Sequence, residues 1–178
     1  MWARPATLET LVHVVLEQKV SIESAAAVMA RTRELVAPGG GAFEARALGR
    51  VPAEALRGAG MTAAKARCLH ALARATLSGA LDLEALARRP DDEVVAGLTA
   101  VPGIGPWTAG VWLTTVLRRP DAWPPGDRAL AVGAVETLGL CAVPSYPELD
   151  RLAAGWSPYR GAACRMLWHA YLSRRARA

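Results

Sequence analysis

From Leu8 to Gln18, apolar residues recur at the three- and four-residue spacing of a helix with one buried face. A second such run, Ile22 to Val36, follows Ser21, whose hydroxyl suits the free N–H groups of a helix start. Pro38 to Gly41 breaks the pattern, and Thr62 is placed to cap a helix reaching Leu77. Asp82 and Asp91 start two short helices. A further apolar stretch ends near Val101, where Pro102 stops it, and Pro106 suits the first position of a new helix over Trp107 to Arg118. Asp127 heads a helix to about Leu138, Tyr146 to Ala154 forms another, and Ser157-Pro158 reads as cap and first-turn proline of the last. No stretch alternates convincingly at period two, so the pattern predicts an all-α chain.

With 178 residues, 52% of them apolar, the chain can bury one substantial core, divisible into two lobes. Its formal charge of +5 favours a polyanionic partner. Of 21 basic residues only Lys19 and Lys65 are lysines, a bias that nucleotide composition explains as readily as phosphate recognition. Cys68, Cys141 and Cys164 are odd in number and too widely spaced for a local metal site, so they read as reduced, packed thiols of a cytosolic protein. The apolar run Leu11 to Leu16 is far too short to cross a membrane, and no signal peptide is evident. His13, His70 and His169 stand isolated on helical faces and read as ordinary surface or core residues rather than ligands.

The chemistry concentrates between residues 98 and 127. Gly103 and Gly105 flank Ile104 and permit a tight hairpin between two helices. The second helix then begins with unclaimed N–H groups beside glycines, which can bind a phosphate without a basic side chain. A bare Gly-capped turn between packed helices is the plainer alternative. Beyond a Pro-rich loop lies Gly126-Asp127, a carboxylate at a helix start, where the positive end of the helix dipole favours its ionised form. It reads as a cap, as a chemical group, or as both at once.

The fuller string, Leu98 to Ala109 with Val101-Pro102-Gly103-Ile104-Gly105-Pro106-Trp107-Thr108-Ala109 at its centre, resembles the helix-hairpin-helix element of the HhH-GPD DNA glycosylase superfamily. Asp127, in the loop after the second hairpin helix, matches that family's second landmark. Gln18-Lys19-Val20-Ser21 with Ala25-Ala26, Gly60-Met61-Thr62 with Lys65-Ala66, and Trp156 to Arg160 with Leu167-Trp168 match its other elements. The resemblance covers nearly the whole chain and is nearest to the 3-methyladenine DNA glycosylase II, AlkA-like, branch, without that branch's N-terminal β domain.

The resemblance implies a two-lobed helical fold with the active site in the inter-lobe cleft. One lobe takes residues of about 1–20 with 127–178, the other about 21–118, the hairpin unit lying at 98–118. It implies a monofunctional glycosylase that flips an alkylated purine out of double-stranded DNA and hydrolyses its N-glycosidic bond, leaving an abasic site. Asp127 would be catalytic, stabilising positive charge on the sugar. Trp107, Trp168 and Val111 would line the base pocket; Val111 stands where some relatives have an aromatic, which implies a wider pocket. For both tryptophans a place in the core is the alternative. Gly103, Ile104, Gly105 and Thr108 would bind the DNA backbone. Gln18 and Lys19 occupy the turn that fills the gap left by the flipped nucleotide, although Lys19 also reads as a solvated turn residue and Gln18 as a helix C-terminus residue.

Bifunctional relatives carry a Schiff-base lysine where Trp107 stands, so no lyase activity is implied. Nor is an iron–sulfur cluster, because the three cysteines lack the four-Cys pattern of the branches that bind one. No cofactor is required. Similar hairpins hold a monovalent cation, Na⁺ or K⁺, on backbone carbonyls, here those of Thr99, Val101 and Ile104. The expected form is a cytoplasmic monomer acting on the bacterial nucleoid with no membrane contact, and Arg174-Arg175-Ala176-Arg177 a frayed end adding phosphate attraction. Two other readings remain: a non-catalytic binder of lesions or junctions, and a glycosylase for uracil, hypoxanthine or oxidised bases.

Overall fold

A computed structural model describes residues 3–175, and among them every regular element is helical. The helices are α1 (Leu8–Leu16), α2 (Ile22–Val36), α3 (Ala45–Arg50), α4 (Ala53–Gly58), α5 (Ala63–Leu77), α6 (Leu83–Ala87), α7 (Asp91–Thr99), α8 (Pro106–Thr115), α9 (Arg128–Leu138), α10 (Tyr146–Ala154) and α11 (Arg160–Arg175), with a 3₁₀ turn at Pro38–Gly40. Short polar side chains close most helix starts, as their sequence positions predict. Ser21 accepts from Ser24 N–H, Thr62 from Lys65 N–H, and Asp82 from both Glu84 and Ala85 N–H.

Several boundaries differ from the sequence pattern. Helices α3 and α4 are unannounced, each a short piece that holds by burying one leucine, Leu48 and Leu56. Helix α8 ends at Thr115 rather than Arg118: the Thr114 and Thr115 hydroxyls donate back to the Gly110 and Val111 carbonyls, and Arg118 turns to a φ of 54°. The last helix starts at Arg160, not at Ser157-Pro158. Ser157 turns its hydroxyl to Asp121, and Asp121 caps α11 by accepting the Arg160 N–H at 3.2 Å. Cys68 and Cys164 are buried, whereas Cys141 is exposed rather than packed. Of the Arg174 to Arg177 run, Ala176 and Arg177 lie outside the described residues.

Two apolar cores organise the chain. The larger joins α1, α2, α5 and the hairpin helices through Leu11, Leu16, Leu69, Leu98, Ile104 and Trp112. The smaller joins α9, α10 and α11 through Leu130, Leu149 and Leu167, with Val111 of α8 and Val14 of α1. Helices α1 and α8 therefore lie between the cores and contribute to both, and α8 is buried from Thr108 through Thr115. That is why it shows no polar stripe in sequence. No helix among the described residues is long and apolar enough to cross a membrane.

Candidate active site

The hairpin forms as its glycines suggest. Gly103 takes a φ of 95° and packs so closely on α5 that a Cβ there would lie 2.8 Å from the Cys68 sulfur. Ile104 donates its N–H to the Val101 carbonyl at 3.0 Å and buries its side chain in the larger core. Ile104 thus shapes the turn and offers no free main-chain donor. The first ladder bond into α8 runs from Ala109 N–H to the Gly105 carbonyl, so the helix itself leaves the Trp107 and Thr108 N–H groups unclaimed. Thr108 as a whole residue is 1% exposed, and its hydroxyl accepts from Gln18. Thr108 is thus packed against Gln18 and presents almost no surface to a phosphate, which leaves that of Trp107 as the more accessible of the two free N–H groups.

Asp127 sits where α8, α9 and the Pro-rich loop converge. Its Oδ1 accepts the Leu130 N–H at 2.9 Å, capping α9, and its Oδ2 accepts the Trp107 indole N–H at 2.8 Å. With 5% of its surface exposed, the carboxylate is fixed at both oxygens and cannot swing. The bond to Trp107 spans 20 residues and links the hairpin helix to the candidate catalytic group. Trp107 remains half-buried and packs against the smaller core, in which Val111 and Trp168 are themselves buried. All three belong to one apolar cluster: Val111 and Trp168 take core positions in it, and Trp107 is the most exposed.

The loop before Asp127 is anchored twice. Gly110 lets α8 approach it so closely that a Cβ would lie 2.5 Å from Pro124 Cα. Farther back, Asp121 receives two side-chain bonds from Arg160, at 2.8 and 2.7 Å. That guanidinium, with the Arg160 N–H and the Ser157 hydroxyl, holds the Asp121 pKa down at about 2. Two cavities, each of about 510 Å³, lie elsewhere, one beside Leu140 to Leu152 and one between α3 and α5; neither is lined by Asp127, Trp107, Val111 or Trp168.

In the turn after α1 the two wedge candidates are held differently. Gln18 lays its amide on the hairpin, donating to the Gly103 carbonyl at 3.1 Å and the Thr108 hydroxyl at 3.0 Å. Lys19 stays exposed at the tip, together with Val20, which is 48% exposed. Lys65 reaches across from α5 to the carbonyls of Leu16 and Gln18. Lys65, Gly110 and Asp121 carried no signal for these roles in the residue pattern, because each acts through a distant partner. His13, His70 and His169 gather no ligand set, and no group of three or more His, Cys, Asp or Glu among the described residues is arranged to hold a metal.

The chain is similar in sequence and fold to known proteins. The chain is 28% identical over 162 residues to DNA-3-methyladenine glycosylase 1 of Schizosaccharomyces pombe, an alignment covering 90% of this chain and 70% of that protein. The solved structure of the S. pombe 3-methyladenine DNA glycosylase in complex with abasic DNA matches with a TM-score of 0.84 at 27% identity, covering 90% of this chain and 78% of that one. DNA-3-methyladenine glycosidase from Bacillus halodurans matches with a TM-score of 0.77 at 34% identity, covering 95% and 77%. The model of the HhH-GPD superfamily base excision DNA repair proteins matches residues 12–158, and this chain therefore belongs to that superfamily.

Proposed function

We propose that the protein is a monofunctional DNA glycosylase that removes alkylated purines of the 3-methyladenine type from double-stranded DNA. The observation that carries this reading is the Asp127 carboxylate, held at both oxygens beside Trp107 and next to the hairpin. The names borne by its relatives support the substrate class.

A damaged nucleotide must first leave the stack, at a cost of a few kcal/mol. The half-buried Trp107 offers an aromatic face that recovers part of it, and a cationic methylated purine gains a further ~0.5–2 kcal/mol over such a ring. As the C1′–N bond breaks, its electron pair leaves with the base, so a cationic purine departs as a neutral molecule and needs no acid to help it. Positive charge then grows on the sugar. A fixed carboxylate about 4 Å away stabilises it by roughly 4 kcal/mol at an effective dielectric of about 20, or about three powers of ten in rate. Water completes the reaction, its oxygen bonding C1′ and its proton passing to solvent.

No lysine stands in α8 to form a Schiff base, and the Lys65 ammonium is committed to two carbonyls, so the product is an intact abasic strand. The hairpin suits a monovalent cation: the Val101 carbonyl accepts one N–H and keeps a second lone pair, and with the Thr99 and Ile104 carbonyls it would hold Na⁺ or K⁺ against a DNA phosphate. Methylated DNA incubated with the protein and then heated in alkali tests the reading. Strand breaks at purines, absent before the alkali step, are expected; tight binding without breaks would make the protein a lesion binder instead, and a panel of single-lesion duplexes would expose a preference for uracil, hypoxanthine or an oxidised base.

A further inference from the structure

Lys65 is one of only two lysines in the chain, and among the described residues its ammonium is bonded to main-chain carbonyls. Its ammonium donates to the Leu16 carbonyl at 2.8 Å and the Gln18 carbonyl at 2.9 Å, at the end of α1 and in the turn that follows. Immediately beyond, Lys19 holds a φ of 58°, the left-handed region that a side chain with a Cβ rarely adopts. From the opposite side the Gln18 amide ties the same turn to Gly103 of the hairpin and Thr108 of α8, residues 85 and 90 positions away. A strained backbone persists only where its surroundings over-determine it, and such strain gathers at functional sites. Here the surroundings include the Arg4–Glu17 ion pair at the start of the turn, and two side chains, Lys65 and Gln18, that fasten the turn itself to α5 and to the hairpin. What they hold up is an exposed cation, Lys19, beside an exposed apolar residue, Val20.

We propose that Lys65 and Gln18 are positioning residues for base extrusion. They join the turn at residues 17–20 and the phosphate-holding hairpin into one rigid body, so that Lys19 and Val20 meet the duplex already shaped as a wedge. A mobile turn would have to be ordered on insertion, and pre-organisation removes that cost. Val20 supplies the apolar bulk that fills the vacated space, while Lys19 stays with the phosphates. Neither Lys65 nor Gln18 touches the reacting atoms. The inference rests on the glycosylase reading for its substrate, not for its geometry.

The test compares Lys65→Met, Lys65→Arg and Gln18→Met with the natural chain in single-turnover base release. One duplex carries the lesion opposite its normal partner, a second carries it opposite an abasic gap, and 2-aminopurine beside the lesion reports extrusion without cleavage. Lys65→Met is expected to slow release about tenfold or more on the paired lesion but less than about threefold opposite the gap, where less stacking and pairing must be broken. Lys65→Arg, which still reaches both carbonyls with N–H donors, is expected to recover most of the loss. If Lys65→Met fails to fold, Gln18→Met must give the same contrast. Equal slowing on both duplexes, or none on the paired one, overturns the proposal. Extrusion by the natural chain without release would sink the glycosylase reading alone, and the positioning role would then stand or fall on whether Lys65→Met loses the 2-aminopurine signal.

Discussion

Trp107→Phe separates the two tasks that the structure gives this residue. Phenylalanine keeps an aromatic ring at this half-buried position but removes the indole N–H that reaches Asp127 Oδ2 at 2.8 Å. A hydrogen bond to a charged group contributes about 1.5–3 kcal/mol net, and a 5%-exposed carboxylate oxygen stripped of its donor finds little water to replace it. If that bond is what fixes the anion under the sugar, kcat falls by about one to two powers of ten. Binding of damaged DNA barely changes, because the stacking surface remains. Trp107→Ala then loses a further ~1–3 kcal/mol of stacking, seen as weaker binding on top of the lower rate. The assay is single-turnover release of a methylated purine across a range of enzyme concentrations, which yields rate and affinity together, with thermal denaturation to confirm the fold. A Phe variant with the natural rate, or one whose whole deficit is in binding, would refute the claim that the indole positions the carboxylate.

Gly110→Ala should disturb the same site from behind. The new Cβ falls 2.5 Å from Pro124 Cα and 2.7 Å from the Trp123 carbonyl oxygen, so the loop leading to Asp127 must move; a stability loss of ~1–3 kcal/mol by denaturant titration and a larger fall in base release are expected. Gly103→Ala adds strain at a φ of 95° and a clash with Cys68, and gel-shift titration should show weaker binding of undamaged and damaged DNA alike. Asp121→Ala removes the α11 cap and the Arg160 pair, costing about 1–2 kcal/mol near neutral pH. Because the folded Asp121 pKa lies at about 2, below its unfolded value, that difference is fully present above the ordinary carboxylate range and closes as pH falls towards 2; melting curves of both proteins across acid pH check it.

Features decided within a few residues were legible from sequence. Ser21, Thr62, Asp82 and Asp127 cap the helices they precede, because a capping bond closes over two or three residues. Gly103 adopts positive φ where the hairpin needs it. Features decided by the rest of the fold were not. Helices α3 and α4 are too short to show a period and exist because Leu48 and Leu56 find the larger core. Ser157 has the look of a cap, yet Asp121, far earlier in the chain, takes that place. The sequence places Asp127, Trp107 and the hairpin together through a family resemblance, but the indole bond between the first two is a tertiary contact. Gln18 looks like a free side chain until its partners, 85 and 90 residues on, are brought beside it.

The negative charge at position 127 is tested most directly by Asp127→Asn, which keeps the shape of the side chain and an oxygen to accept the Leu130 N–H, while its amide NH2 gives up the bond to the Trp107 indole, a loss that Trp107→Phe measures separately. Base release from methylated duplex DNA should fall by about three powers of ten while affinity for that DNA holds, since one ion pair at about 4 Å is worth roughly that much in rate. Release at the natural rate, from a variant that folds and binds as before, would contradict the account at its centre.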